Sequence, residues 1–132
     1  MQPIFTLPMV VRDYECDIQG IVNNAVYQHY NEHCRSCFIA SLGIEFADLH
    51  ERGIDVVVAQ LNMRFKTSLR PGDKFEVRLA LEKQGLRYVF HQDIVRLADE
   101  KEVLSLHAQT DIVAIINGRL SDCPELNEKF GL

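Results

Sequence analysis

Residues Val11 to Phe38 read VRDYECDIQGIVNNAVYQHYNEHCRSCF, and this stretch contains the one long helical pattern of the chain. Apolar and small side chains recur in it at spacings of three and four, the repeat of a helix with one buried face. Asn23 or Asn24 suits the start of this helix, and Gly43 suits the position just after its end. We predict that the buried face carries Val26, Tyr30, Cys34, Cys37, Phe38 and Ser41, and that Gln28, Asn31, Glu32, Arg35 and Ser36 lie away from it.

The rest of the chain is dominated by strand patterns. Ile4 to Arg12 is rich in strand-forming residues, and Pro8 within it indicates an edge strand because proline cannot donate to a neighbouring strand. Phe46 to Arg52 is a candidate short helix, and from Ile54 onward apolar and polar side chains alternate. Turn residues, among them Asn117-Gly118, then separate further strands, which we place at 75–82, 87–97, 103–116 and 119–123, followed by a polar tail.

This order predicts a single α+β domain over residues 1–132, in which one long helix packs on an antiparallel sheet. In the strand after Ile54 we expect the apolar side chains to be buried and those between them to be exposed; the apolar set is Ala59, Leu61, Met63 and Phe65. One helix covers one face of a sheet, so the other face or an edge needs a partner. We therefore expect a homodimer or a homotetramer.

Composition excludes several classes of protein. The net charge of −5 argues against nucleic-acid binding, which requires a basic face. No apolar run approaches the roughly 20 residues of a membrane span, and the N-terminus lacks the pattern of a secretion signal. We therefore expect a cytoplasmic protein that binds neither nucleic acid nor membrane, with its four cysteines reduced.

Asp17 lies in the loop Asp13 to Gly20, directly before the start of the long helix. The first amide groups of a helix have no partner within the helix, and they point toward whatever lies at its N-terminus. A carboxylate beside such amides combines a base or nucleophile with donors for a carbonyl oxygen. This pair of features predicts chemistry on a carbonyl compound.

The run Asp17-Ile-Gln-Gly20-Ile-Val22-Asn-Asn24-Ala-Val-Tyr27 resembles the hotdog-fold acyl-CoA thioesterases of the 4-hydroxybenzoyl-CoA thioesterase type. The later passage Phe65 to Asp73, with its Pro-Gly-Asp turn, is also similar to that family. Residues Val22 to Tyr27 are similar to acyl-carrier-protein thioesterases of plants and bacteria as well. The resemblance implies a hotdog fold, in which a five- to six-stranded antiparallel sheet wraps around one long helix.

The resemblance also implies roles for individual residues. Asp17 matches the catalytic carboxylate, as base or nucleophile, and the backbone amide at Asn24 matches the donor to the thioester oxygen. Gly20 and Val22 match the turn that lets the thioester approach the helix, and Glu32 matches the catalyst of a second thioesterase group. Further candidates for substrate binding are Tyr27 and Met63 for the acyl group, and Arg64 and Arg70, together with Lys66, for the coenzyme A phosphates.

Other functions compete with this interpretation. His29 to His33 fits H-x-x-E-H, a zinc motif, but the neighbouring Cys34 and Cys37 lie on the apolar stripe and no third ligand follows downstream. We therefore predict neither a metal nor a cofactor. An acyl-CoA thioesterase is the function we favour. The alternatives are a thioesterase acting on acyl carrier protein and a hotdog protein that binds acyl-CoA without turnover.

Overall fold

The computed structural model describes residues 1–132 and contains three α-helices and six β-strands. The helices are α1 (Asn24–Ser41), α2 (Phe46–Glu51) and α3 (Pro124–Phe130), and a single 3₁₀ turn covers Asp13–Glu15. None of the helices is long and apolar enough to cross a membrane. The strands are β1 (Phe5–Val10), β2 (Ile54–Phe65), β3 (Lys74–Gln84), β4 (Arg87–Ala98), β5 (Lys101–Ile116) and β6 (Arg119–Ser121).

All strands pair antiparallel in one sheet, in the order β1-β3-β4-β5-β2, with β6 paired to the end of β5. The sheet curls around α1, so the predicted α+β hotdog fold is confirmed. The strand that contains Pro8 is an edge strand, as predicted. Asn117 and Gly118 both have positive φ, which is the conformation that a two-residue hairpin turn requires.

The helix packs on the sheet through aromatic and small side chains. Phe38 contacts Phe5, Phe90 and Phe130, and the ring of Tyr30 lies 4.7 Å from that of Phe75. Cys34 is fully buried against the carbonyl of Val77. These contacts place the core between α1 and the inner face of β3, β4 and β5.

The buried face of α1 differs in part from the predicted one. Tyr30, Cys34 and Phe38 are buried as predicted, whereas Ser41 is exposed. Asn31 is buried and Arg35 is largely covered, although the sequence pattern placed both away from the core. The pattern was wrong here because polarity alone marked these two residues as solvent-facing, while the curled sheet reaches further around the helix.

Two further expectations, one about β2 and one about the C-terminal segment, were also wrong. Ala59, Leu61 and Phe65 are exposed, because β2 is an edge strand with a single neighbour and a bulge interrupts its pairing between Val58 and Gln60. The expected polar tail is the helix α3, which begins with Pro124 at a favourable first position and buries Leu126.

Candidate active site

The loop that carries Asp17 closes on itself. The Asp17 amide donates to the Ile21 carbonyl at 2.9 Å, and the Gly20 amide donates to the Asp17 carbonyl at 3.0 Å. Gly20 has a φ of +76°, a conformation that side chains with a Cβ rarely adopt. One Asp17 carboxylate oxygen accepts the Gln19 amide at 2.9 Å. The carboxylate is therefore held at a defined position on a tight turn and is partly open to solvent.

The start of α1 presents one unused amide. Asn23 is the cap residue, and its side-chain oxygen accepts the Ala25 amide at 2.9 Å, while the Val26 amide donates to the Asn23 carbonyl. The Asn24 amide has no acceptor within the chain. Because an unpaired amide at a helix N-terminus also carries the positive end of the helix dipole, it suits an oxygen that develops negative charge.

The crossing between β2 and β3 forms a wall beside this loop. The Leu69 carbonyl accepts the Val22 amide at 2.9 Å, and the Leu69 amide donates to the Tyr27 hydroxyl at 3.0 Å. The Tyr27 ring meets the ring of Phe65 edge-on at 5.5 Å. Val22 and Tyr27 are both buried, so they bring the loop, the helix and the crossing together at one end of the molecule.

Asp17, Gly20, Val22, Asn24 and Tyr27, all predicted for the site, thus occur in one continuous region. Arg70 belongs to the adjoining turn, which is held by bonds between Asp73 and both Val11 and Arg70. Arg70 takes part in none of the ion pairs of the structure.

The other predicted residues lie elsewhere. Met63 packs against the core on the inner face of β2. Arg64, next along the strand, points to the opposite face, in register with His107 and Asp93. Glu32 is exposed on α1 and lines a cavity of about 250 Å³ between α1 and β2. Within a single chain, Arg64 and Glu32 are therefore not brought together with Asp17.

That cavity contains a feature that sequence reasoning missed. Seven apolar side chains line it, together with Arg35, whose guanidinium donates to Gln92 at 2.9 Å and to Thr110 at 3.3 Å. Burial lowers the pKa of Arg35, the negative charge of Glu32 opposes this shift, and Arg35 forms no ion pair. The side-chain amide of Asn31 is also buried and has no partner. The only sequence signal for Asn31 and Arg35 was their spacing of four residues, which places them on the same side of the helix.

The residues of the competing zinc motif do not form a metal site. The thiol of Cys37 lies 3.7 Å from the imidazole of His33, and Cys34 points into the core. No group of three or more His, Cys, Asp or Glu side chains is arranged to hold a metal ion.

A long helix enclosed by a curled antiparallel sheet, with a loop carboxylate at its start, defines a hotdog domain. The chain belongs to the thioesterase superfamily, since the model of that family matches residues 19–103. It is 35% identical over 105 residues to the chloroplastic acyl-acyl carrier protein thioesterase ATL3 of Arabidopsis thaliana, which covers 79% of this chain and 55% of that protein. The chain thus spans about half the length of this relative.

Solved structures agree with this assignment. A DHNA-CoA thioesterase from Staphylococcus aureus superposes with a TM-score of 0.81 at 25% identity, covering 96% of this chain and 88% of that one. A variant of 4-hydroxybenzoyl-CoA thioesterase in complex with 4-hydroxybenzoyl-CoA superposes with a TM-score of 0.83, covering 96% and 95% of the two chains. At 16% identity this second likeness shows the fold alone. The resemblance identified from the sequence is confirmed.

Proposed function

We propose that this protein hydrolyses an acyl-CoA thioester to a free acid and coenzyme A. The observation that carries the proposal is the Asp17 carboxylate on a closed loop that leads directly into a helix whose Asn24 amide is unused. Thioester hydrolysis places negative charge on the carbonyl oxygen, and one aimed donor of this kind contributes about 3 kcal/mol to lowering the barrier. Membership of the thioesterase superfamily supports the same reaction.

Two routes use the same residues. In the first, the Asp17 carboxylate takes a proton from water while the water oxygen adds to the thioester carbon. In the second, the carboxylate itself adds, coenzyme A leaves as the thiolate, and water hydrolyses the resulting anhydride. In both, the Asn24 amide stabilises the oxyanion. A thiolate departs readily, so neither route needs a strong general acid.

The substrate elements follow from the neighbouring residues. Val22 and Tyr27, buried behind the loop, shape the acyl pocket, and Met63 contributes to an apolar wall. Arg70, which has no ion-pair partner, is available for the coenzyme A phosphates beside the loop. A carrier protein is the second candidate for the thiol part of the substrate, because the chain is 35% identical to ATL3, an acyl-acyl carrier protein thioesterase.

The test is thiol release from a panel of acyl-CoA and acyl-carrier-protein substrates. We expect turnover by the wild type and a loss of at least about a hundredfold in kcat for Asp17→Asn, because base or nucleophile is removed. Asp93→Asn, which removes a carboxylate from the outer face of the sheet, is the matched control and should retain activity. Tight acyl-CoA binding without turnover would indicate a binding protein. Full activity in Asp17→Asn, with Glu32→Gln inactive, would move the chemistry to α1.

We also propose that the protein is a homo-oligomer, at least a dimer, built through β2. This strand is twelve residues long, one of its edges is unpaired, and its apolar side chains Val57, Val58, Leu61 and Phe65 are exposed. Long apolar edge strands are templates for pairing with another chain. The cavity beside α1 opens at this strand, so a second copy would also close it.

Light scattering on the purified protein tests this assembly. The wild type should have at least twice the 15.1 kDa chain mass. Val58→Lys should yield monomers. The Val58 side chain is 57% exposed in the single chain, and a partner strand that covers this position would bury the charge of the lysine. Thr6→Lys, on the opposite edge strand β1, is the control and should leave the mass unchanged. A monomeric wild type would contradict the proposal.

A further inference from the structure

Glu15, two residues before Asp17, joins three parts of the structure. One of its carboxylate oxygens accepts the Tyr30 hydroxyl at 2.9 Å and the Arg12 amide at 2.7 Å. Its backbone carbonyl accepts the amide of Asn23, the cap residue of α1, at 3.1 Å. The end of β1, the start of α1 and the second turn of α1 therefore all meet at this one residue.

The bond between Tyr30 and Glu15 is shielded from water. Tyr30 is 2% exposed and the Glu15 side chain is 11% exposed. The Tyr30 ring packs against Phe75 and Tyr27, which determines where its hydroxyl points. Burial and the neighbouring Glu15 carboxylate raise the pKa of Tyr30, so the hydroxyl remains protonated and donates at any working pH.

The Asp17 loop behaves as a unit that is attached at few points. Its internal bonds, between Asp17 and both Ile21 and Gly20, keep its shape but do not orient it relative to α1. The Val22 amide fixes its far end to the Leu69 carbonyl. On the near side, where the chain enters the loop, the Asn23 amide holds the Glu15 backbone and the Tyr30 hydroxyl holds the Glu15 side chain. Without the Tyr30 bond only the backbone bond to Asn23 joins Glu15 to α1, so the near side could shift relative to the Asn24 amide.

We propose that Tyr30 and Glu15 are positioning residues, which set the distance between the Asp17 carboxylate and the Asn24 amide across a bound thioester. This inference rests on the proposed thioester hydrolysis. Neither residue touches the substrate in this scheme. Because a misplacement of about 1 Å at a reacting group can cost about a hundredfold in rate, a partial shift should be visible in kcat.

The experiment compares the kinetics of Tyr30→Phe, Glu15→Ala, Glu15→Gln and a control variant with those of the wild type, using the best acyl-CoA of the panel. Tyr30→Phe and Glu15→Ala should each lower kcat by about tenfold with KM changed less than about twofold, because the binding surfaces remain while the reacting groups shift. Glu15→Gln should retain kcat within about threefold, because its amide oxygen still accepts the Tyr30 hydroxyl and the Arg12 amide. The variant carrying both Tyr30→Phe and Glu15→Ala should be no slower than the slower single variant.

Tyr88→Phe is the matched control. Tyr88 is as buried as Tyr30, and its hydroxyl donates to Asn127 on α3 at 2.5 Å and contacts the Cys123 carbonyl at 3.3 Å. Its removal deletes an equivalent buried hydrogen bond away from Asp17. We expect Tyr88→Phe and Tyr30→Phe to lower Tm by similar amounts, while only Tyr30→Phe lowers kcat.

The outcomes separate the inference from the function on which it rests. If the wild type turns over and Tyr30→Phe has the kcat of Tyr88→Phe, the bond is only structural and the inference is overturned. It is also overturned if Glu15→Gln is as slow as Glu15→Ala, since the charge would then matter and not the acceptor. If the wild type does not turn over, the proposed function fails and the inference fails with it. Should Glu15→Ala not fold, Tyr30→Phe and Glu15→Gln still decide.

Discussion

The two faces of the sheet have opposite chemistry although the same strands build both. Toward α1, β4 presents Tyr88, Phe90 and Ile94, which are all buried in the core. Toward the other side it presents His91 and Asp93, beside His107 of β5. This outer face also has a cavity of about 270 Å³, where His107 lies 2.6 Å from Asp93 and its ring stacks on that of His91.

An imidazole and a carboxylate in hydrogen-bond contact do not by themselves form an active site. The outer cavity has an imidazole and a carboxylate in contact, but neither a helix start nor an unused amide faces it. On the inner side the Asp17 carboxylate lies on the loop that leads into the helix start, where the Asn24 amide is free. Stabilisation of a developing oxyanion is usually the larger contribution to catalysis, which favours the inner side.

The largest expected difference between the faces is in stability. Phe90→Ala removes a ring that is fully buried between α1 and α3, and it should lower the free energy of unfolding by about 3–5 kcal/mol. Thr6→Ala, at an exposed outer position of β1, should change it by less than about 0.5 kcal/mol. Urea unfolding of both variants measures this. Equal losses would show that α1 does not cover a single inner core.

The two cysteines of α1 should differ in thiol reactivity according to whether they lie against the sheet. Burial raises the pKa of Cys34 to about 11 from an ordinary value of 9.0, because the thiolate would be desolvated against β3. At pH 8 its thiolate fraction should therefore be about a hundredfold below that of a free thiol, and burial should slow its alkylation further. Cys37, which is half-buried and lies beside His33, should be alkylated before Cys34. Mass mapping after brief iodoacetamide treatment distinguishes the two.

Two arginines test which side meets coenzyme A. Arg70 adjoins the Asp17 loop, whereas Arg64 lies on the outer face with His107. Arg70→Ala should raise KM for acyl-CoA by about fivefold, consistent with about 1 kcal/mol for a solvent-exposed phosphate contact. Arg64→Ala should raise KM by less than Arg70→Ala does, because Arg64 and Asp17 of the same chain lie apart. The reverse order would indicate that the outer face, or a partner's Arg64, contacts the phosphates.

The smallest expected effect is electrostatic and belongs to the outer face. Arg78 bonds to Glu76 and Glu102, and its hydrogen bond lowers the pKa of Glu102 below the ordinary 4.5. A lowered carboxyl pKa stabilises the fold above that ordinary value, and the stabilisation is lost as the pH falls through the lowered pKa. Glu102→Gln should therefore lower Tm slightly at pH 7, and this difference should shrink as the pH falls below 4.5. A difference that does not shrink on acidification would exclude this ion pair as its cause.

Much of the candidate site could be predicted because its residues are close in sequence. Asp17, Gly20, Val22 and Asn24 lie within eight positions of one another, so a turn followed by a helix start brings them together whatever the rest of the chain does. Leu69 was not predicted as a partner of Val22 and Tyr27, because it lies more than forty residues away and its contribution is made by backbone atoms. Backbone donors and acceptors leave no trace in residue type.

The sequence by itself determined the order of the elements up to β6, the long helix, the turns and the carboxylate before the helix, because periodicity and turn chemistry act over short distances. Only the tertiary structure decided that Asn31 and Arg35 are covered, that β2 is an exposed edge and that Arg64 faces away from Asp17. It also decided that the Tyr30 hydroxyl meets Glu15. Burial of a polar side chain and the face of a strand depend on how far a distant sheet curls, which no local pattern records.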